Sequence, residues 1–412
     1  WDALSDGHVK HNDNGNIACD QYHLYKEDIA LMKRMNLQAY RFSISWPRIM
    51  PEEGVINPLG VQYYKNLVEE IKKQGMIPMV TLYHWDLPMW MHEKGGWKSR
   101  DVVEAFAEYT RVVVDALSDE VTYWMTMNEA ATFVGAGYLE GIHAPFERVE
   151  PKTEEFVKRT CILTKHVLLA HGRAVQIIRE RAKTKPVIGI AMDGKFFMPN
   201  DNTDEAIATA MERTYESILD CHRINWWLDP ICKGTYHPQL ENIVNDEEKA
   251  VIAEQIDFIG YNCYKANNFD DDDGPNPDVK PGIPRTAMGW AITGDALYWA
   301  VRFIHTRYEK PIMITENGMA NVDFIMSDGL VHDQQRIEFL KLYLAGLKRA
   351  ANEGYPIIGY MYWSILDNFE WAEGYDKRFG LVYVNYENQE RMEKDSAIWF
   401  ANYIKQQQDE QS

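Results

Sequence analysis

Short runs that are apolar on both faces alternate along the chain with longer stretches of helical period. The runs Ala39–Trp46, Ile77–Trp85, Val121–Glu129, Pro186–Asp193, Ile256–Tyr264, Pro311–Glu316 and Ile357–Asp367 read as buried strands. Between them the pattern predicts helices over Tyr25–Met35, Gly60–Lys73, Val102–Leu117, Glu155–Ala182 and Asp333–Ala350. In the last, Ile337, Leu340, Leu344 and Leu347 share one stripe, and Asp333 is placed to cap the N-terminus. Strands of this kind, separated by helices, pair in parallel through right-handed crossovers. Such units in one unbroken series predict a (β/α) barrel, a fold that closes with eight strands. The series is one strand short, and the shortage lies at the N-terminus, where no strand precedes the first helix. No linker or low-complexity break divides the chain, so residues 1–412 read as a single barrel domain. Asp270–Asp273, followed by Gly274, Pro275 and Pro277, reads as a solvated loop, with a calcium loop as the alternative.

The polar residues gain meaning from where they fall. The reactive face of such a barrel lies at the C-terminal ends of its strands. Those ends carry Arg41; His84, Trp85 and Asp86; Asn128 and Glu129; Asn262 and Tyr264; Glu316; and Trp363. The stretch KPIMITENG (Lys310–Gly318) shows the tension in one place: an apolar run delivers Glu316 to the edge of the core, and Asn317-Gly318 reads as the turn by which the chain leaves. Any one polar strand end is unremarkable. Their convergence on one rim is hard to explain as so many solvent-facing tips. Two of these residues, Glu129 and Glu316, are glutamates. Paired carboxylates in one pocket are what glycosidic cleavage requires, one protonating the leaving oxygen and the other attacking or activating water. No phosphate-binding glycine loop, cofactor motif or Ser/His/Asp elbow competes, so no cofactor is expected.

Composition agrees. The chain is 46% hydrophobic, with 13 Trp and 23 Tyr, enough for a large core and for stacking platforms under sugar rings. A net charge of -19 argues against a nucleic-acid surface and against anionic membranes. No apolar run approaches the ~18 residues that span a bilayer. The cysteines Cys19, Cys161, Cys221, Cys232 and Cys263 are scattered, without a CxxC pair. They read as reduced thiols of a cytoplasmic protein rather than a disulfide framework or a metal site. No signal peptide is visible, and a homo-oligomer is left open.

The segments WMTMNEA (Trp124–Ala130), MITENG (Met313–Gly318) and WSILDNFEWAEGYDKRFGL (Trp363–Leu381) resemble the signature segments of glycoside hydrolase family 1, the β-glucosidase family. So do YRFSISWPRI (Tyr40–Ile49), TLYHWDLP (Thr81–Pro88) and AMGW (Ala287–Trp290), in order along the whole chain. The resemblance implies an (β/α)8 barrel and a retaining double displacement. Glu129 then matches the acid/base and Glu316 the nucleophile, with carboxyls roughly 5–5.5 Å apart. Arg41 and Tyr264, with Asn262 beside them, match the residues that hold the nucleophile, and Asn128 the one that binds the sugar 2-hydroxyl. His84 and Trp371 match donors to the 3-hydroxyl, Glu370 the acceptor for the 4- and 6-hydroxyls, and Trp363 the stacking platform. Trp85 and Phe379 complete the substrate-binding set, and Trp290 matches the aglycone wall. Glu370 would repel a phosphate, which favours plain sugars over 6-phosphosugars. Glu129 favours O-glycosides, because the family's thioglucosidases carry glutamine there.

The chain departs from the family pattern in three ways. Trp1 matches a position after the family's first strand, which carries a sugar-binding glutamine, so the chain reads as incomplete at its start. Ala130 stands where proline is usual. The segment from Gln239 to Asp257 and the loop after Asn268 are short. The leading expectation is a retaining exo-β-glycosidase acting on a small-molecule β-glucoside or oligosaccharide, with β-galactosides or β-fucosides also open. A transglycosidase, a 6-phospho-β-glycosidase, and a non-catalytic sugar-binding relative or truncated, inactive chain are the alternatives.

Overall fold

The computed structural model describes residues 1–267 and 281–411. Seven parallel strands, β1 (Ala39–Ser43), β2 (Ile77–Thr81), β3 (Tyr123–Asn128), β4 (Val187–Met192), β5 (Phe258–Asn262), β6 (Ile312–Asn317) and β7 (Ile357–Tyr362), pair strictly in sequence order. They form a nearly closed barrel, with β1 and β7 at the two ends of the hydrogen-bonded order. Helices return the chain between them, among them Pro58–Lys73, Asp101–Leu117, Glu154–Arg181, Ala296–Tyr308 and Gln334–Asn352. A separate antiparallel pair, β8 (Val382–Val384) and β9 (Arg391–Glu393), precedes the C-terminal helix Asp395–Gln411.

Local sequence explains the helix starts. Asn57 accepts a hydrogen bond from the Leu59 amide ahead of Pro58, which supplies a helical φ without losing a needed donor. Thr153 caps the longest helix through the Phe156 amide at 3.1 Å, and Glu154 and Glu155 follow in its first turn. The barrel interior is filled by flexible side chains. Met79, Met125, Ala191, Phe258 and Met313 meet there with Met361 packed beside them, one from each of β2 to β7. The Phe258 ring needs Gly189 on the neighbouring strand, since a Cβ there would lie 2.5 Å from it.

The strands are shorter than their apolar runs. Trp46 opens a short helix, Trp46–Ile49, and Trp363 lies just past β7. Asn317 corrects the expected turn: it is the buried last residue of β6, donating to the Cys263 carbonyl at 2.7 Å and accepting from the Tyr360 hydroxyl at 2.8 Å. Gly318 answers to space instead, because a Cβ there would sit 1.9 Å from the Trp363 carbonyl oxygen. Asp333 does stand at the N-cap position, but its carboxylate does not cap the helix. It binds Arg336 and takes hydrogen bonds from the Ser396 amide and hydroxyl at 2.8 and 2.6 Å. The Asp270–Asp273 run lies outside the described residues.

Asp333 belongs to a buried ionic cluster that braces the segment after β7. Asp323 takes bonds from Arg336 at 2.7 Å and from Lys394 at 2.6 Å, all three side chains fully buried. Lys394 also reaches Asp367 at 2.8 Å, and Arg378 pairs with the other oxygen of Asp367 at 2.6 Å. Three carboxylates thus offset three cations, and removing one leaves a buried positive charge. Replacing Asp323 by Ala is expected to cost about 3–5 kcal/mol, seen as a lowered midpoint in thermal or urea unfolding.

Candidate active site

The C-terminal ends of the strands bring the two glutamates into one hydrogen-bonded network. Arg41, on β1, is its hub. Its Nη1 donates to Glu316 Oε1 at 2.8 Å and to the Thr315 carbonyl at 3.1 Å, its Nη2 to Asn128 Oδ1 at 2.6 Å, and its Nε to Thr81 Oγ1 at 3.1 Å. Only 6% of the Arg41 side chain and 5% of the Glu316 side chain are exposed, so little water screens the pair. The Tyr264 hydroxyl donates to the other Glu316 oxygen at 2.7 Å. Asn262 Nδ2 donates to Glu129 Oε1 at 2.8 Å and to Asn128 Oδ1 at 3.0 Å, and Thr315 fixes its amide by donating to Oδ1 at 2.6 Å. Asn128 Oδ1 is therefore occupied twice, and its amide nitrogen is turned toward His84 Nε2, 3.4 Å away.

Irregular pairing puts these groups where they are. The β5–β6 register shifts after Tyr261, setting Asn262 opposite Glu316, and the β3–β4 register shifts before Asn128. Trp85, Glu129 and Trp371 all hold left-handed backbone, with φ of 83°, 51° and 45°. Non-glycine residues adopt such φ only where their surroundings impose it, and such residues gather at functional sites.

Aromatic rings form two walls. On one side His84 lies 5.8 Å from Trp363 and 6.1 Å from Trp371, both nearly parallel, and Trp371 packs on Trp85 at 4.8 Å. The Trp85 indole donates to the Asn128 carbonyl at 3.0 Å. On the other side Tyr264, Trp290 and Phe379 make a triangle of centroids 5.2 to 6.2 Å apart. Phe379 is only 2% exposed and backs that wall from behind.

Electrostatics separate the carboxyls. Burial, then the charges of Asp193 and Glu316, push Glu129 well above the ordinary carboxylate range, against the Asn262 donor and Arg41. Burial and the Arg41 charge push His84 down to about 3, leaving a neutral imidazole. Burial first, then Glu316 and Glu373, push Glu370 up to about 8, with a Trp363 hydrogen bond opposing. The site thus holds a carboxyl whose burial favours its protonated form near one paired with a guanidinium, an arrangement suited to acid-assisted displacement.

The residues matched to the family's site lie on these walls or in this network, with Glu370 beside Trp363; Asp86, also at a strand end, faces Ser45 and Arg48 instead, and burial raises its carboxyl. Sequence reasoning missed Thr81 and Thr315, the hydroxyls that orient Arg41 and Asn262, because nothing separates them from ordinary strand threonines. It also missed Asp193, whose signal was available: a carboxylate at the end of the Pro186–Asp193 run.

The family model of glycosyl hydrolase family 1 matches residues 1–409. The chain belongs to that family. Among family members, β-glucosidase A of Thermotoga maritima is 40% identical over 425 residues, covering 98% of this chain and 91% of the relative. Beta-glucosidase 26 of Oryza sativa subsp. japonica is 36% identical over 445 residues, covering 98% and 84%. A solved Thermotoga maritima β-glucosidase in complex with castanospermine superposes with a TM-score of 0.87 at 38% identity, covering 98% of this chain and 91% of that one. No helix among the described residues is long and apolar enough to cross a membrane.

The raised Glu370 carboxyl has a measurable consequence. A carboxyl raised by folding stabilises the fold while both states are protonated, below its ordinary value of 4.5, and that contribution is lost as pH climbs to about 8. The thermal midpoint of the free protein is expected to fall between about pH 5 and about pH 8, and to fall less in Glu370→Gln.

Proposed function

We propose that this family 1 member is a retaining exo-β-glycosidase that hydrolyses β-glucosides, with Glu316 as nucleophile and Glu129 as acid/base. The observation that carries the reading is the contrast between the two glutamates within one network: Glu316 is held by Arg41 and Tyr264, and burial pushes the Glu129 carboxyl well above the ordinary carboxylate range. The β-glucosidase names of the relatives support the substrate class.

In the first step Glu129 protonates the glycosidic oxygen as a Glu316 oxygen attacks the anomeric carbon. The C–O bond to the leaving group breaks, and a covalent glycosyl-enzyme forms. Arg41 and Tyr264 hold the attacking carboxylate in aim through separate oxygens, so its orientation is set before the sugar arrives. Positive charge building on the sugar ring is met by a pocket rich in carboxylate oxygens. In the second step Glu129, now ionised, takes a proton from water, which attacks the same carbon and frees Glu316. Asn128, with its carbonyl already engaged, presents its amide hydrogens to the sugar 2-hydroxyl. Trp363 supplies the platform, and His84, Glu370 and Trp371 the polar clamp. Glu370 disfavours a 6-phosphate by charge once ionised.

Glu316→Ala is expected to lose about 10⁴-fold or more in kcat on an aryl β-glucoside. Azide should restore turnover, giving the α-glycosyl azide, and wild type should prefer the plain glucoside over its 6-phosphate. Unchanged activity in Glu316→Ala would overturn the mechanism. Turnover of the phosphorylated sugar alone would overturn the substrate class.

A further inference from the structure

The acid/base carboxyl of a retaining glycosidase must reach the leaving oxygen in the first step and a water in the second. Its backbone therefore needs a firm seat. Glu129 lies between β3 and the short helix Ala130–Val134, in left-handed backbone with φ 51°. The next residue, Ala130, adds no ring to restrict the chain. What holds the corner is the neighbouring strand. The Glu129 amide donates to the Ala191 carbonyl of β4 at 2.9 Å. Three residues on, Thr132 Oγ1 donates to Asp193 Oδ2 at 2.6 Å, Asp193 being the first residue past β4. The two bonds run from residues three apart on the corner to residues two apart at the end of β4, and together they tie the corner to that strand.

We propose that Asp193 is a positioning residue for the acid/base, acting through the Thr132 hydroxyl that it holds one turn into the helix that Glu129 begins. The proposal rests on the assignment of Glu129 as acid/base. An amide or a serine would offer Thr132 only a weaker, uncharged acceptor than the carboxylate it meets at 2.6 Å. Asp193 Oδ1 is buried, and no donor among the described residues reaches it. Such an oxygen is costly to bury, and burial pushes the Asp193 carboxyl itself above its ordinary range, opposed by the Thr132 hydrogen bond and the charge of His222. Two groups of charges face it. Glu129 and Glu316 lie on the barrel side, with Arg41 beside them. On the outer side stands His222, held to Glu140 at 2.6 Å, with Lys195 and Asp220 paired at 3.3 Å. After burial, the Asp193 charge is the largest influence keeping the Glu129 proton in place, ahead of Glu316. One side chain therefore holds the turn on which Glu129 stands and, when ionised, favours the protonated form that the first step consumes.

The test separates acid assistance from general disruption by varying the leaving group. Methyl β-glucoside needs a proton on its leaving oxygen, whereas 2,4-dinitrophenyl β-glucoside does not. In Thr132→Val and Asp193→Asn, kcat/KM on the methyl glucoside should fall about 10–100-fold, within the span of general acid catalysis. On the dinitrophenyl glucoside it should stay within about twofold. Thr132→Ser, which keeps the hydroxyl, should restore the wild-type ratio between the two substrates. Asp193→Asn removes a negative neighbour of Glu129, so it should also shift the alkaline limb of the kcat/KM profile to lower pH, while Thr132→Val leaves that limb in place. Equal losses on both substrates in Thr132→Val and Asp193→Asn would overturn the proposal, as would an unmoved alkaline limb in Asp193→Asn. Glu129→Gln serves as the reference: if it loses equally on both glucosides, the acid/base assignment itself is wrong, and if it spares only the dinitrophenyl glucoside, failure of the Asp193 arm stands alone.

Discussion

The site depends on one buried cation. Arg41 comes from the first strand of the series and reaches across the barrel to β6, touching Thr81, Asn128, the Thr315 carbonyl and Glu316 on the way. A guanidinium suits this task because its donors are fixed in a plane and point in several directions at once. A lysine would offer the charge without the fork. Without Arg41, the Glu316 carboxylate would be a buried charge without its cation, and the Asn128 carbonyl would lose one of its two donors. Because burial makes an unpaired charge expensive, the network has a single low-energy arrangement, and the barrel strands must sit in register to complete it.

A second ionic assembly, around Asp367, does for the segment after β7 what Arg41 does for the strand ends. Asp367 binds Lys394, Arg378 and the Gly380 amide, all from chain that follows it. The loop bearing Trp363, Glu370 and Trp371 is thereby tied to the chain that leads to the C-terminal helix. Phe379 sits between Arg378 and Gly380, so the same anchoring sets the back of the wall it forms with Tyr264 and Trp290. The two assemblies are separate in sequence and composition, yet each turns irregular backbone into a fixed platform for aromatic side chains.

Much of this was legible in the sequence. Strand order, parallel pairing and the rim residues followed from apolar runs ending in polar groups, because burial on both faces leaves only the strand tip free for chemistry. The boundaries were less legible. Residues past the last ladder bond, such as Trp46 and Trp363, are as apolar as the strand interior, so hydrophobicity alone cannot mark the end. Asn317 and Asp333 misled for a shared reason: Asn-Gly and a pre-helix Asp have strong local preferences, and tertiary partners overrode both. Asn317 found Cys263 and Tyr360, and Asp333 found Arg336 and Ser396. Thr81, Thr315 and Thr132 were invisible because a threonine's value depends on what stands opposite, which is long-range information.

The charge balance of the pocket explains why protons are held where they are. Glu129, Asp193, Glu316 and Glu370 influence one another, while Arg41 is the cation that reaches into their midst. Arg41 bonds directly to Glu316 among them, and burial disfavours the ionised form of the others. Arg41 and Tyr264 select Glu316 for pairing by contact, and burial raises Glu129, Asp193 and Glu370. A sugar ring gaining positive charge at its anomeric centre would supply what the free pocket lacks. Under the proposed mechanism, the excess of carboxylates would favour the transition state over the empty site, and its cost falls on the free enzyme as raised pKa values.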